Sequence, residues 1–139
     1  MAWKGLGRFT YFPFSHRIRA NKVRIYDLAS LTKVVATTPM CMRLQEQGKF
    51  RLEEPLMNVL PEFAGSDRRR EMVTFRMLLA HSSGLPAYVK LFETAKDRAE
   101  LLSQAAQVTL VADPGVRAEY SDIGFVLLGA ALERIAATR

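Results

Sequence analysis

The chain has 139 residues, 49% of them hydrophobic and 24% charged, with a net charge of +6. That is enough apolar material for one core and excludes a disordered chain. No stretch reaches the roughly 18 uninterrupted apolar residues of a membrane helix, and the opening MAWKGLGRFTYF lacks the apolar core of a signal peptide, so nothing in it addresses the chain to a compartment.

The positive charge is concentrated early, with ten Lys and Arg against two acids in residues 1–52. His16, Arg17, Arg19, Lys22 and Arg24 are scattered along a strand-like stretch and fit no nucleic-acid-binding module, so they read as a solvated face, with no nucleic-acid partner expected. Segments 7–12 and 23–26 have strand composition, and residues 1–29 form a strand region leading to Ser30. From Ser30 to Gln47 the apolar positions Leu31, Val34, Val35, Met40 and Leu44 fit a helix closed by Gly48, with Pro39 kinking it or opening a new first turn. Within it, Cys41 has no internal disulfide partner and reads as a small buried hydrophobe. His16 and His81 stand in no ligand spacing with it, and neither a metal nor another cofactor is expected.

EEPLMNVLPEF reads as turns around one short helical piece, and Arg68, Arg69 and Arg70 as an exposed loop with acidic partners nearby. Thr74 is placed to cap a helix over Phe75 to His81, stopped by Ser-Ser-Gly-Leu-Pro. Asp97 is placed to cap Arg98 to Gln107, and Ser121 or Asp122 to cap a last helix carrying Ile123, Val126, Leu127, Ala130, Ala131 and Ile135. The chain is expected to be mainly helical after residue 30. No repeat or long linker divides it, so residues 1–139 read as one domain.

Three groups in this order have chemical potential. Ser30 and Lys33 in YDLASLTKVVATT share one helix face, about 5–6 Å apart at Cβ. If that face is dry, desolvation disfavours the ammonium form and a neutral Lys33 can take the seryl proton. Ser30 at a helix N-terminus would also be near unpaired N–H groups that favour developing negative charge. The spacing alone fits a helix-start serine beside an exposed lysine better than a catalytic pair. Ser82 in AHSSG has the small flanking residues of a nucleophile elbow, but a helical segment precedes it and no histidine comes after His81, which leaves a helix-ending turn in which His81 packs or hydrogen-bonds locally. Tyr120 in AEYSDIG could serve as a proton acceptor beside an ammonium group or as a core tyrosine. Asp122 could cap a helix, orient Lys33 or touch substrate.

Taken together, the segments YDLASLTKVVATT, EEPLMNVLPEF, VTFRMLLAHSSGLP and EYSDIGFVLLGAALE resemble, in one order, the serine β-lactamase and penicillin-binding protein superfamily. The likeness is to its class C-like branch, with related esterases and D-amino-acid-releasing peptidases. It implies an α/β fold, here mostly helical with one or two N-terminal strands and an incomplete sheet, and members that often work in the periplasm or cell envelope. By that resemblance Ser30 would be acylated by a small-molecule acyl substrate (an ester, a β-lactam or a D-amino-acid amide), Lys33 and Tyr120 would manage its proton, and Asp122 would bind substrate. Water would then hydrolyse the acyl-enzyme. Asp122 stands where the branch has asparagine, keeping an acceptor and losing the amide donor. The third motif, K-T-G or H-x-G on a strand that supplies the second oxyanion N–H, has no match before Arg139. Loss of such a donor costs about 2.7–4 kcal/mol of transition-state stabilisation. The sequence is therefore expected to be a fragment of a larger enzyme, and the alternative is a catalytically silent module that self-associates through an exposed sheet edge.

Overall fold

A computed structural model of the protein describes residues 27–137. The expected strands at 7–12 and 23–26 lie outside the described residues. Among those described there is no strand, only an isolated antiparallel bridge between Pro55 and Thr74.

The first helix begins one residue after Ser30. Its opening turns are tight, with the Leu31 and Thr32 N–H groups donating to the Leu28 and Ala29 carbonyls, and Lys33–Thr37 then widens into a π-helical turn. This turn leads into α1, Thr38–Glu46, with Pro39 in its first turn. Proline has no N–H to give and its ring crowds the carbonyl four residues back, so a widened turn just before it accommodates the missing bond without breaking the helix. Of the two expectations for Pro39, a kink or a new first turn, the structure shows the new first turn, set behind a π turn. Gly48, at φ +68°, closes the helix as read from the sequence.

Two short 3₁₀ turns, Leu56–Asn58 and Pro61–Phe63, account for the Pro-rich segment. A third, Arg68–Met72, starts on Asp67, whose carboxylate accepts the Arg69 N–H. The expectation of an exposed loop fails at one residue. Arg70 is buried, its guanidinium donating to the Phe63, Ala106 and Val108 carbonyls at 3.0, 2.6 and 2.7 Å and lying over the Phe63 ring. The planar five-donor fork collects carbonyls at the end of a helix that has run out of its own N–H groups. That helix is α3, Arg98–Gln107, capped by Asp97 as expected.

Thr74 caps α2, whose N-terminal turn it satisfies by accepting the Met77 N–H; α2 spans Phe75–Leu79 and stops two residues earlier than read. The last helix, α4, runs Asp122–Ala137 and packs against α1, α2 and α3. Its buried face, Ile123, Gly124, Leu127, Leu128, Ala131, Leu132 and Ile135, meets Cys41, Leu44, Phe63, Phe75, Leu78 and Ala106 in one core. Cys41 is 1% exposed, and burial pushes its thiol up to about 11, which makes it a packing residue. No described helix is long and apolar enough to cross a membrane.

Candidate active site

Three separate stretches converge at the open end of this bundle. Ser30 comes from the start of the first helix. The residue before it, Ala29, has φ +43°, and its N–H donates to Asp27 Oδ1 at 2.8 Å, so an Asp-anchored turn aims the seryl side chain outward. The Ser30 N–H makes no hydrogen bond among the described residues.

Tyr120 and Asp122 come from the entry to α4. The cap there is Ser121, not Asp122: its Oγ accepts the Gly124 N–H at 3.0 Å and donates to the Pro86 carbonyl at 2.7 Å. That division of labour frees the Asp122 carboxylate. The Asp122 N–H is itself tied to the Ala87 carbonyl at 2.8 Å, which fixes where the side chain starts.

The AHSSG turn is the backrest. His81 has φ +54°, its carbonyl accepts the Glu119 N–H, and its Nδ1 accepts the Ser121 N–H at 3.0 Å. Its ring stacks between Tyr120 and Phe125, with centroids at 4.5 and 5.0 Å. Gly84, at φ +77°, lies so close to the Ala112 carbonyl that a Cβ would sit 2.3 Å from its oxygen. Only glycine permits that approach. Ser82 comes after a helix, as the sequence indicates, and its carbonyl accepts the Gly115 N–H.

These elements join Tyr120, Ser30, Lys33 and Asp122 in one chain of hydrogen bonds. Tyr120 Oη donates to Ser30 Oγ at 2.6 Å, and Lys33 Nζ donates to Ser30 Oγ at 3.2 Å and to Asp122 Oδ1 at 2.6 Å. The ammonium lies 5.0 Å from the Tyr120 ring centroid and 5.5 Å from that of Phe125. Ser30 and Tyr120 are exposed while the Lys33 side chain is only 16% exposed. A cavity of about 1030 Å³, with a mostly apolar lining that includes Leu28, Val34, Leu79 and Phe125, opens in front of Ser30.

The electrostatics differ from the neutral-lysine expectation. Desolvation is the largest influence on Lys33 and pulls its pKa down, but the hydrogen bonds and charges of Asp122 and Tyr120 together outweigh it, and the lysine titrates above its ordinary value. The site is dry enough to weaken an isolated ammonium, but Lys33 is paired. Tyr120 moves the other way: its hydrogen bond to Ser30, then the one to Lys33, and the Lys33 charge hold the phenol below its ordinary value. Burial, and after it the Lys33 charge, lowers the His81 imidazole. Two donors on one seryl oxygen, one of them charged, favour negative charge on that oxygen.

Phe125 and His81 join the site without belonging to the residues that the sequence marks for chemistry. Phe125 stands three residues after Asp122, on the same helix face, and that spacing is the available signal. Among the described residues no group of three or more His, Cys, Asp or Glu side chains is gathered to hold a metal ion.

Comparison with known proteins shows the family and the fold. The Beta-lactamase family model matches residues 9–139. The chain is 31% identical over 129 residues to a putative D-alanyl-D-alanine carboxypeptidase of Escherichia coli (strain K12), covering 85% of this chain and 30% of that protein. It is 30% identical over 122 residues to an N-acetylmuramyl-L-alanine amidase of Bacillus subtilis (strain 168), covering 80% and 28%. Among solved structures, a class C beta-lactamase in complex with cefoxitin superposes with a TM-score of 0.65 at 27% identity, over 78% of this chain and 29% of that one. The chain thus spans less than a third of the length of these relatives. By its family match and its described architecture, this chain belongs to the Beta-lactamase family and has that family's fold.

Proposed function

We propose that this chain carries the acylation centre of a serine hydrolase acting on esters, β-lactams or small D-amino-acid amides through an acyl-enzyme on Ser30. The observation that supports it most is the shared seryl oxygen: Tyr120 Oη at 2.6 Å and Lys33 Nζ at 3.2 Å both point at Ser30 Oγ, in front of an open cavity. The family match and the likenesses to a putative D-alanyl-D-alanine carboxypeptidase and a class C beta-lactamase support the β-lactam and D-amino-acid amide part of that range.

In this reading Tyr120, as the phenolate, takes the Ser30 proton while Oγ bonds to the substrate carbonyl carbon. The Lys33 ammonium steadies the phenolate, and the Ser30 N–H donates to the developing oxyanion. The proton on Tyr120 passes to the leaving oxygen or nitrogen as its bond to carbon breaks. Water then gives a proton to Tyr120 and attacks the ester carbon, and Oγ leaves with that proton. A fluorophosphonate probe with peptide mapping tests the assignment. A phosphonylated Ser30 is expected, and a folded chain left unlabelled at Ser30 contradicts it.

A second reading rests on one observation. Leu31, Val34, Val35 and Met42, on the helix that carries Lys33, are each more than half exposed. Such a face suits a catalytically silent binding or assembly module. Light scattering separates the readings: a strict monomer with turnover excludes the assembly role.

A further inference from the structure

Asp122 occupies a position from which it can decide how the proposed site handles its proton. Its carboxylate is relieved of capping duty by Ser121, and its backbone is fixed by the Asp122 N–H bond to the Ala87 carbonyl. It is the closer partner of Lys33, at 2.6 Å against 3.2 Å for Ser30. It sits in the first turn of a 16-residue helix, where the dipole favours a negative charge. Asparagine at this point could accept a hydrogen bond from the lysine but could not neutralise it.

We propose that Asp122 is a positioning residue that pins Lys33 as a permanent ammonium, so that Lys33 acts only as a charge and Tyr120 alone exchanges protons with Ser30. The proposal deepens the acyl-enzyme reading and rests on it for its catalytic meaning. The charge arrangement itself is independent of turnover. Among the described residues, the titratable groups facing Lys33 are Asp122 and Tyr120, in hydrogen-bonding or ring contact, and His81 behind Tyr120, which burial and the lysine charge keep neutral. With a neutral histidine behind, the carboxylate is the one anion among them that holds the ammonium at neutral pH.

The consequence runs through both ionisations. Removing the carboxylate takes one negative charge from beside Lys33 and from the neighbourhood of Tyr120, so both groups lose their protons more readily. In Asp122→Asn, Lys33 should therefore deprotonate about one pH unit or more lower. Any acylation of Ser30 that depends on the phenolate should likewise shift its rising limb toward lower pH.

The test uses the whole chain with ¹³C-labelled lysine and tyrosine, titrated by NMR as wild type, Asp122→Asn and Asp122→Glu. Lys33→Arg and Tyr120→Phe assign the two resonances. The expected result is a wild-type Lys33 that stays protonated beyond the ordinary lysine range, a downward shift of about one unit or more in Asp122→Asn, and retention of the charge in Asp122→Glu. A wild-type Lys33 that titrates at or below the ordinary value overturns the proposal, and that reading requires no variant to fold. So does an unchanged titration in a folded Asp122→Asn. Fluorophosphonate labelling of the same samples across pH separates this from the acyl-enzyme reading: titrations as expected with no labelling at any pH support the charge assignment and contradict acylation at Ser30.

Discussion

The Tyr120 hydroxyl donates to the Ser30 hydroxyl at 2.6 Å although ninety residues separate them in the chain. Nothing local to either residue brings them together. The approach is made by α4 packing against α1 and α2 and by the Ser121 cap, which sets where α4 begins. If the phenol is the group that exchanges the seryl proton, Tyr120→Phe should lower the rate of Ser30 labelling about 10² to 10⁴-fold, the usual worth of a positioned acid-base group. Tyr120 is exposed, so the melting temperature should hardly change. Labelling at the wild-type rate would assign the proton transfer elsewhere.

Acid should loosen the site before it unfolds the chain. The His81 imidazole is lowered by burial and then by Lys33, and its Nδ1 is already engaged as the acceptor of the Ser121 N–H. A histidine pKa depressed on folding contributes stability that is present above its ordinary value near 6.5 and is lost as the pH falls through the lower folded value. Stability should therefore decline as the pH falls below about 6.5, and the ¹H–¹⁵N resonance of Ser121 should move as the pH falls through the lower folded value. A Ser121 amide that does not move while the His81 imidazole itself titrates would contradict the role given to Nδ1.

Removing Arg70 should be among the costliest single changes. Its guanidinium satisfies three carbonyls, two of them in the last turn of α3 and just past it, and no other described group replaces it. Arg70→Leu keeps bulk but leaves those acceptors buried and unpaired, at about 1–3 kcal/mol for each that water cannot reach. A loss of about 3 kcal/mol or more in urea unfolding is expected. Neutral behaviour would mean the carbonyls find other donors.

Gly84→Ala should disturb the site from a distance. A methyl group there would meet the Ala112 carbonyl oxygen at 2.3 Å, and the backbone at φ +77° disfavours a side chain before any clash is counted. The turn that holds His81 against Tyr120 would have to shift. We expect about 2–4 kcal/mol of destabilisation, judged from comparable strained glycine and overpacked sites, with Ser30 labelling slowed even at temperatures where the variant stays folded.

Much of this molecule is legible locally. Thr74, Asp97 and Gly48 mark helix ends because capping is settled within three or four residues, and all three act where the sequence places them. What escapes a local reading is set by distant partners. Arg70 looks like part of a solvated run because the carbonyls it serves belong to Phe63, Ala106 and Val108. Lys33 looks able to go neutral because the carboxylate that keeps it charged stands 89 residues away. The pairing of Ser30 with Tyr120 is readable only through resemblance to a family, since neither spacing nor periodicity links them. Even the π turn at Lys33–Thr37 is a compromise between Pro39 and a helix whose other bonds continue through it.

The catalytic roles proposed for Ser30, Lys33 and Tyr120 depend on a covalent acyl intermediate at Ser30, and trapping that intermediate is the decisive measurement. The folded chain is mixed with a penicillin or an activated aryl ester, quenched in acid within seconds and digested, and the peptide bearing the acyl mass is sequenced by mass spectrometry. A single acyl group per chain is expected, attached to Ser30 and absent from Ser30→Ala. An adduct confined to another residue, or none at Ser30 in protein shown to be folded, would refute acylation at this serine.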